Sequence, residues 1–388
     1  MIRSEGAVRR VCRDRNDHRA RQASHVGNPL RIGGVAIMAA LSLSLLAHGW
    51  IAGFGFSLMW VLSVLPVLVA GLLEDLGYRV SAWRRFFAAL SSALLAVVLL
   101  GVWAPRGDIP GVDLLMQIPA AAIVVTIIFS AVFCHATNLV DGMNGLATVV
   151  VIASALGLAA IAQQAGATDV AWAVFLLALS AAGFLIVNWP RALLFLGDAG
   201  AYGLGHLLVW AAIMLAWRSE EVAIPALLLT LFWPIADVLH TVLRRFAIRA
   251  PVFRPDRMHL HHKIRRMLEL LIFGCQGRAW SNPLTTLLMV PMICAPVLAG
   301  VLLWTEPSLA WAAMAGYLAL FLLAHHVVLM IGLRSRSGVG RALSEGCKAF
   351  VLRRARSHGE NMPSPEKRDI SSEVRAYPAN TKTKGQAR

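Results

Sequence analysis

Ten apolar stretches of about 20 residues each constrain this chain more than any other feature of its sequence. A stretch of that length spans a bilayer as an α-helix, because a helix satisfies every backbone hydrogen bond within the hydrocarbon core. We therefore predict an all-α polytopic integral membrane protein with about ten transmembrane helices. The predicted spans are 32–49, 54–74, 85–104, 118–137, 143–163, 169–188, 199–217, 221–240, 282–304 and 308–333.

The composition agrees with a membrane protein and assigns its orientation. Apolar residues make up 58% of the chain and charged residues only 15%, whereas a soluble protein has about 25% charged residues. The net charge of +15 would suggest nucleic-acid binding in a soluble chain. Here 34 of the 36 Lys and Arg residues fall on the side of the N-terminus, and only Arg106 and Arg218 fall on the other. This positive-inside pattern predicts cytoplasmic termini and no nucleic-acid partner.

The sequence divides into three parts. Residues 1–31 form a basic cytoplasmic segment without the apolar run of a signal peptide. Residues 32–333 form the transmembrane domain, which includes a cytoplasmic loop at 241–281. Residues 334–388 form a basic cytoplasmic tail whose composition predicts disorder.

The polar motifs concentrate on the predicted cytoplasmic face. Four acidic residues, Glu74, Asp75, Asp141 and Asp198, come from three separate loops there. If the loops converge, so many carboxylates need a counter-ion, and oxygen ligands favour Mg²⁺ or Mn²⁺. Such a metal suits a phosphate-bearing substrate. The basic and histidine-rich stretch at 254–263 adds donors for phosphate oxygens.

Each motif also has a purely structural interpretation. The glycines near helix ends are often caps or packing contacts, and the Glu74–Asp75 pair could mark the interface where a span stops. The three histidines at 259, 261 and 262 leave a metal site open, although their spacing fits no common zinc pattern.

Four motifs in this order resemble one enzyme family, the polyprenyl-phosphate N-acetylhexosamine-1-phosphate transferases of the glycosyltransferase 4 group. The motifs are GLLEDL at 71–76, NLVDGMNGLA at 138–147, FLGDAGAYGLG at 195–205 and PDRMHLHHK at 255–263. His25, Pro29, Arg31 and Gly33-Gly34 also resemble the family's first cytoplasmic loop. The HLHH form is similar to the undecaprenyl-phosphate GlcNAc-1-phosphate transferase branch, which initiates glycans such as O-antigen.

The resemblance implies a function and a set of site residues. It implies Mg²⁺-dependent transfer of a sugar 1-phosphate, with GlcNAc-1-phosphate expected, from a UDP-sugar to undecaprenyl phosphate in the bacterial cytoplasmic membrane, with release of UMP. The active site would face the cytoplasm. Catalytic roles fall on Glu74, Asp75 and Asp141, and metal ligation on Asp198 and Asp141. Substrate-binding roles fall on Asn138, Asn144, Asp256, Arg257, His259, His261 and His262.

Two departures from the family pattern bear on the site. The first acid of the pair is Glu74 where Asp is usual, and position 144 is Asn where many members have Asp. These departures leave a catalytically inactive scaffold as one alternative, and a secondary transporter is another. A transporter would place ionisable groups near the middle of the bilayer and often has repeated halves, and neither pattern occurs here. The sequence leaves a homodimer open.

Overall fold

A computed structural model describes residues 30–52, 56–249, 258–273 and 278–337. Within these ranges the protein is helical, and its β-pairing is one isolated bridge between Leu30 and Leu194. The helices are α1 (Gly33–Ala52), α2 (Ser57–Ser63), α3 (Leu65–Asp75), α4 (Ala82–Leu100), α5 (Pro110–Met116), α6 (Pro119–Val140), α7 (Leu146–Gln164), α8 (Thr168–Asn188), α9 (Gly197–Arg218), α10 (Ile224–Thr230), α11 (Phe232–Ala247), α12 (Leu260–Leu268), α13 (Arg278–Leu302) and α14 (Pro307–Ser337). A π-helical turn, Glu269–Phe273, follows α12. The predicted all-α class is confirmed.

Each predicted span corresponds to helical structure in the described part of the chain. Seven helices are long and apolar enough to cross a membrane, and two bent pairs, α2 with α3 and α10 with α11, bring the number to nine. Helix α1 contributes a shorter apolar segment, Gly33–Gly49. The prediction of about ten spans therefore agrees with the structure, except that two of the spans are broken.

The bend of 86° between α10 and α11 has a local cause. Pro234 lies in the first turn of α11, and its ring cannot coexist with a helical carbonyl four residues earlier, at Thr230. The freed Thr230 carbonyl accepts a hydrogen bond from Ser154 Oγ at 2.6 Å. A hydroxyl from a neighbouring helix thus satisfies the backbone where no water is available.

Helix α9 is the centre of the bundle. The 18 residues that form its apolar stretch are all buried, whereas only 11% of the corresponding stretch of α14 is buried. Small residues let two neighbours approach the first turn of α9 closely: Gly34 of α1 lies against Gly200, and Gly71 of α3 lies against Ala199. The start of α9 is therefore held where the start of α1 and the end of α3 meet.

The close contact at Gly71 predicts a loss of stability on substitution. A Cβ at position 71 would lie 2.6 Å from the Cα of Ala199, so we expect Gly71→Ala to lower the free energy of unfolding by about 1–3 kcal/mol. Thermal unfolding of detergent-purified protein measures the change. Gly183→Ala is the matched control, because a Cβ at Gly183 of α8 meets nothing within 4 Å. Equal melting temperatures for the two variants would contradict the packing described here.

Candidate active site

The side chain of Asp75 caps the N-terminus of helix α9. Its Oδ1 accepts a hydrogen bond from the backbone N–H of Asp198 at 2.9 Å, and its Oδ2 accepts one from the N–H of Ala199 at 2.9 Å. These groups have no partner inside their own helix, and the helix end carries partial positive charge. Gly197 makes the approach possible, since its φ is +77° and a Cβ there would lie 2.6 Å from Asp75 Oδ2. The carboxylate of the GLLEDL motif thus holds the FLGDAGAYGLG motif in place.

Asp198 lies between a cation and an amide. Its Oδ2 forms an ion pair with Arg85, which comes from the first turn of α4, and its Oδ1 accepts a hydrogen bond from Asn138 Nδ2 at 3.2 Å. The Arg85 guanidinium also lies 5.8 Å from the ring centre of Tyr202. The Arg85 and Asp198 side chains are 19% and 15% exposed. A guanidinium, which suits phosphate, and a carboxylate, which suits a divalent metal, are therefore adjacent and partly exposed.

Asp141 follows α6 in the loop that leads to α7. Burial raises the pKa of this carboxyl from 3.8 to about 7, the positive charge of Arg31 opposes that rise, and the negative charge of Asp198 adds to it. The influence of Asp198 places the two carboxylates in one electrostatic environment. A bound cation would favour the ionised form of Asp141.

Asn144 connects this loop to two other elements. Its backbone N–H donates to Asn282 Oδ1 at 2.8 Å, and its Nδ2 donates to the carbonyl of Pro190 at 2.8 Å. Its own carbonyl accepts a hydrogen bond from Thr286 Oγ1 at 2.7 Å. The residue is 8% exposed. These contacts hold the loop against α13. The neutral amide of Asn144 needs no counter-ion, whereas a carboxylate at this position would need one.

The histidine motif lies beside the same loop. A Cβ at Gly142 would lie 2.7 Å from His261 Nε2 and 3.4 Å from His262 Cε1, so the two motifs are in close contact. Burial and the neighbouring His262 and His259 hold the pKa of His261 well below 6.5, so its ring is neutral at pH 7. His259 precedes α12, and its Nδ1 lies 2.8 Å from Asp237 Oδ2.

The structure brings most of the predicted site residues into one connected region. Asp75 contacts the turn of Asp198, Asn138 contacts Asp198, and the 141–145 loop contacts His261. Glu74 is half-buried, and its Oε2 accepts a hydrogen bond from the backbone N–H of Val80 at 2.6 Å. The predicted residues Asp256 and Arg257 lie outside the described ranges, as do His25 and Pro29.

Three residues of this region were not predicted from the sequence. In the sequence Arg85 is one of the basic residues that predict the cytoplasmic face, and its position ten residues after Asp75 is the signal that links it to the acidic motif. Asp237 is an acid inside a predicted span, which is by itself a signal of function. Asn282 begins a predicted span, and its contact with the loop at Asn144 carries no sequence signal.

The side chains present are compatible with a metal that is completed by substrate. Within the described ranges, no three His, Cys, Asp or Glu side chains form a metal-binding group. Mg²⁺ commonly takes only one or two protein carboxylates, with water and phosphate oxygens as its other ligands. Asp198 and Asp141 supply that donor chemistry, and Arg85 provides the counter-charge to Asp198 that a ligand-free site needs.

The chain is similar to several known proteins. Residues 57–216 match the family described as glycosyl transferase family 4. A Bacillus subtilis protein named "Probable undecaprenyl-phosphate N-acetylglucosaminyl 1-phosphate transferase" is 26% identical over 277 residues, which cover 71% of this chain and 74% of the relative. The decaprenyl-phosphate N-acetylglucosaminephosphotransferase of Mycobacterium tuberculosis is 28% identical over a region that covers 71% of this chain and 78% of the relative. A phospho-N-acetylmuramoyl-pentapeptide-transferase of Streptococcus gordonii is 30% identical over a region that covers 39% of this chain and 43% of the relative.

The cap at the start of α9 predicts a stability effect at Asp75. We expect Asp75→Asn to lower the free energy of unfolding by about 0.5–2 kcal/mol, because a neutral amide can reproduce only part of the two-acceptor cap. Thermal unfolding at neutral pH measures it. Asp169→Asn is the control, since Asp169 pairs with Arg218 where the two side chains are 45% and 34% exposed, and such pairs contribute little. An effect at Asp75 no larger than at Asp169 would mean that the cap does not stabilise α9.

Proposed function

We propose that the chain, of which residues 57–216 match glycosyl transferase family 4, is a polyprenyl-phosphate N-acetylhexosamine-1-phosphate transferase. The proposed donor is UDP-N-acetylglucosamine, the acceptor is undecaprenyl phosphate, and UMP is released. The names of the two relatives that align over about 71% of this chain support N-acetylglucosamine and a polyprenyl phosphate, and the name of the Bacillus subtilis relative specifies undecaprenyl phosphate. The product would be the first lipid-linked intermediate of a cell-surface glycan, such as O-antigen.

One observation carries this proposal. Direct contacts join the acid that ends α3 to the Asp198 turn that begins α9, this turn to the end of α6, and the loop after α6 to the histidine motif at the start of α12. Together they place three carboxylates, one arginine and several imidazoles in one region at the ends of membrane helices. That set can bind a diphosphate together with a divalent cation.

The proposal includes Mg²⁺, with Mn²⁺ as a substitute, held by Asp198 and Asp141. When bound, such a cation neutralises charge on the diphosphate of the nucleotide sugar. The Arg85 guanidinium, paired with Asp198 in the structure, would then be free to donate to a phosphate oxygen. Asn138 would continue to orient the Asp198 carboxylate through its 3.2 Å hydrogen bond.

The proposed reaction is a direct displacement at phosphorus. An oxygen of the lipid phosphate attacks the β-phosphorus of the UDP-sugar, a new P–O bond forms, and the bond from that phosphorus to the bridging oxygen of UMP breaks. The second pKa of a phosphate monoester is near 6, so at neutral pH the attacking group needs little help from a base. Of the acidic pair, Glu74 is the less enclosed and could take the remaining proton.

A covalent phosphoryl-enzyme on Asp75 fits the geometry less well. Both of its carboxylate oxygens already accept backbone hydrogen bonds, which stabilise the anion and reduce its nucleophilicity. In the direct mechanism Asp75 acts as a positioning residue that holds Asp198 through the first turn of α9.

We further propose that the site faces the cytoplasm of a bacterial inner membrane. The excess of Lys and Arg on the side of the N-terminus supports this orientation, and the nucleotide sugar is available on that side. A transporter is disfavoured, because the acids lie at the ends of α3, α6 and α9 rather than near their middles.

A transfer assay tests this function. Purified protein, radiolabelled UDP-N-acetylglucosamine and undecaprenyl phosphate should yield a labelled lipid and one equivalent of UMP, and UDP-N-acetylgalactosamine in a parallel reaction reports sugar preference. Omitting the lipid phosphate should abolish UMP release. Substrate transport into vesicles without any labelled lipid product would instead support a transporter.

The metal part of the proposal has its own prediction. We expect EDTA to stop transfer, Mg²⁺ to restore it, and Asp198→Asn to cut turnover by orders of magnitude because the change removes an anionic oxygen ligand. The near-isosteric variant should still insert and fold, which its melting temperature checks. Activity within a few-fold of wild type for Asp198→Asn would exclude this residue as a ligand.

Arg85 provides a test with a matched control next to it. We expect Arg85→Ala to lower kcat/KM by about 100-fold or more, because a charge-assisted hydrogen bond to phosphate is lost in an enclosed site, and Arg85→Lys to recover part of it. Arg84→Ala should retain activity within about three-fold, since Arg84 is exposed at the same helix end. Equal losses in the two alanine variants would indicate a general charge effect at the membrane surface.

A further inference from the structure

Helix α11 has a polar face that is buried inside the protein. Asp237, Thr241 and Arg245 follow one another at intervals of four residues and are 1%, 6% and 5% exposed. The opposite face carries Leu239, Leu243 and Phe246, which are exposed as expected for contact with lipid. A buried carboxylate in an apolar span is costly unless it has a partner, so Asp237 requires an explanation.

The partner of Asp237 is the first histidine of the motif. His259 Nδ1 lies 2.8 Å from Asp237 Oδ2, and the two side chains are 2% and 1% exposed. An ionised carboxylate can only accept hydrogen bonds, so the hydrogen of the imidazole must be on Nδ1. Nε2 is then the nitrogen of His259 that can interact with a ligand. If the ring becomes protonated, the Asp237 charge compensates the buried imidazolium.

The histidine held in this way leads towards the candidate active site. The rings of His259 and His261 are stacked, with centroids 5.5 Å apart and planes within 9°. His261 in turn contacts Gly142, next to Asp141. His259 therefore links Asp237 to this part of the site, and any effect of Asp237 on the site passes through His259.

We propose that Asp237 is a positioning residue that fixes the orientation of His259 and compensates its positive charge, so that protonated Nε2 of His259 donates a hydrogen bond to a phosphate oxygen of the nucleotide sugar. This inference rests on the proposed function. Carboxylates that hold the far nitrogen of a functional imidazole act in this way at many sites, where they fix the ring orientation and increase its basicity. Other titratable groups near the pair are His240 and Arg244 of α11, Lys263 of α12 and His325 of α14.

The alternative is that Asp237 only holds α12 in place. The structure gives α12 other anchors: Leu260, Ile264 and Leu268 pack in a hydrophobic cluster, and Lys263 Nζ lies 2.9 Å from His325 Nδ1. The helix therefore does not depend on Asp237 for its position. A variant at 237 should change the histidine while the fold is retained.

A double-mutant cycle tests the pairing. Asp237→Asn should lower kcat/KM for the UDP-sugar by about 10–100-fold, as is typical when the partner of a functional histidine is lost, with KM for undecaprenyl phosphate unchanged. If Asp237 acts through His259, the double variant Asp237→Asn with His259→Gln should be no less active than His259→Gln alone. Asp237→Glu, which keeps the charge, should recover part of the loss.

Controls separate a positioning role from a structural one. Thr241→Val removes a hydroxyl 3.5 Å from His259 Nδ1 on the same buried face and should stay within about three-fold of wild type. Melting temperatures of all variants report folding. Multiplicative losses in the double variant, or an equal rise in both KM values, would overturn the role of Asp237. A wild-type protein that transfers no sugar phosphate would overturn the proposed function, and this role with it.

Discussion

Helix α9 begins inside the protein, where its first backbone N–H groups cannot be hydrated. The carboxylate of Asp75 satisfies two of them, at Asp198 and Ala199, from the end of another helix. Because the hydrogen bonds fix the backbone at Asp198, they also fix where its side chain meets Arg85 and Asn138. The close contacts at Gly71 and Gly197 allow this arrangement, since a side chain at either position would occupy the space of the cap. The other residues of the site lie around this capped helix start.

The same constraint recurs wherever polar groups lie inside the bundle. Thr230 ends α10 at the bend, and its carbonyl is taken by Ser154. Asn144 ties the loop after α6 to α13 through Asn282 and Thr286. In an apolar interior an unsatisfied group costs several kcal/mol, so each helix break or loop must bring a partner with it. These partners are what hold the candidate active-site loops in one arrangement.

Much of this protein could be predicted from the sequence, because hydrophobicity acts locally. Runs of about 20 apolar residues specify membrane helices without reference to their neighbours, and the predicted number of spans agrees with the structure. The bend after Thr230 was missed although Pro234 signals it, since one proline in an apolar run does not say whether a helix kinks or turns through 86°. The acidic and histidine motifs were identified by resemblance, and the contacts between them were not predictable.

The sequence by itself therefore determined the helices, their apolar character and the chemical types available at their ends. Tertiary structure alone decided which of those groups meet. Asp75 was predicted as a catalytic acid, and the structure uses both of its oxygens to cap α9. Arg85 and Asp237 became partners of Asp198 and His259 across 113 and 22 residues of sequence. The reason is physical: hydrogen bonds and ion pairs act over a few ångströms, and only helix packing brings residues so distant in sequence within that range.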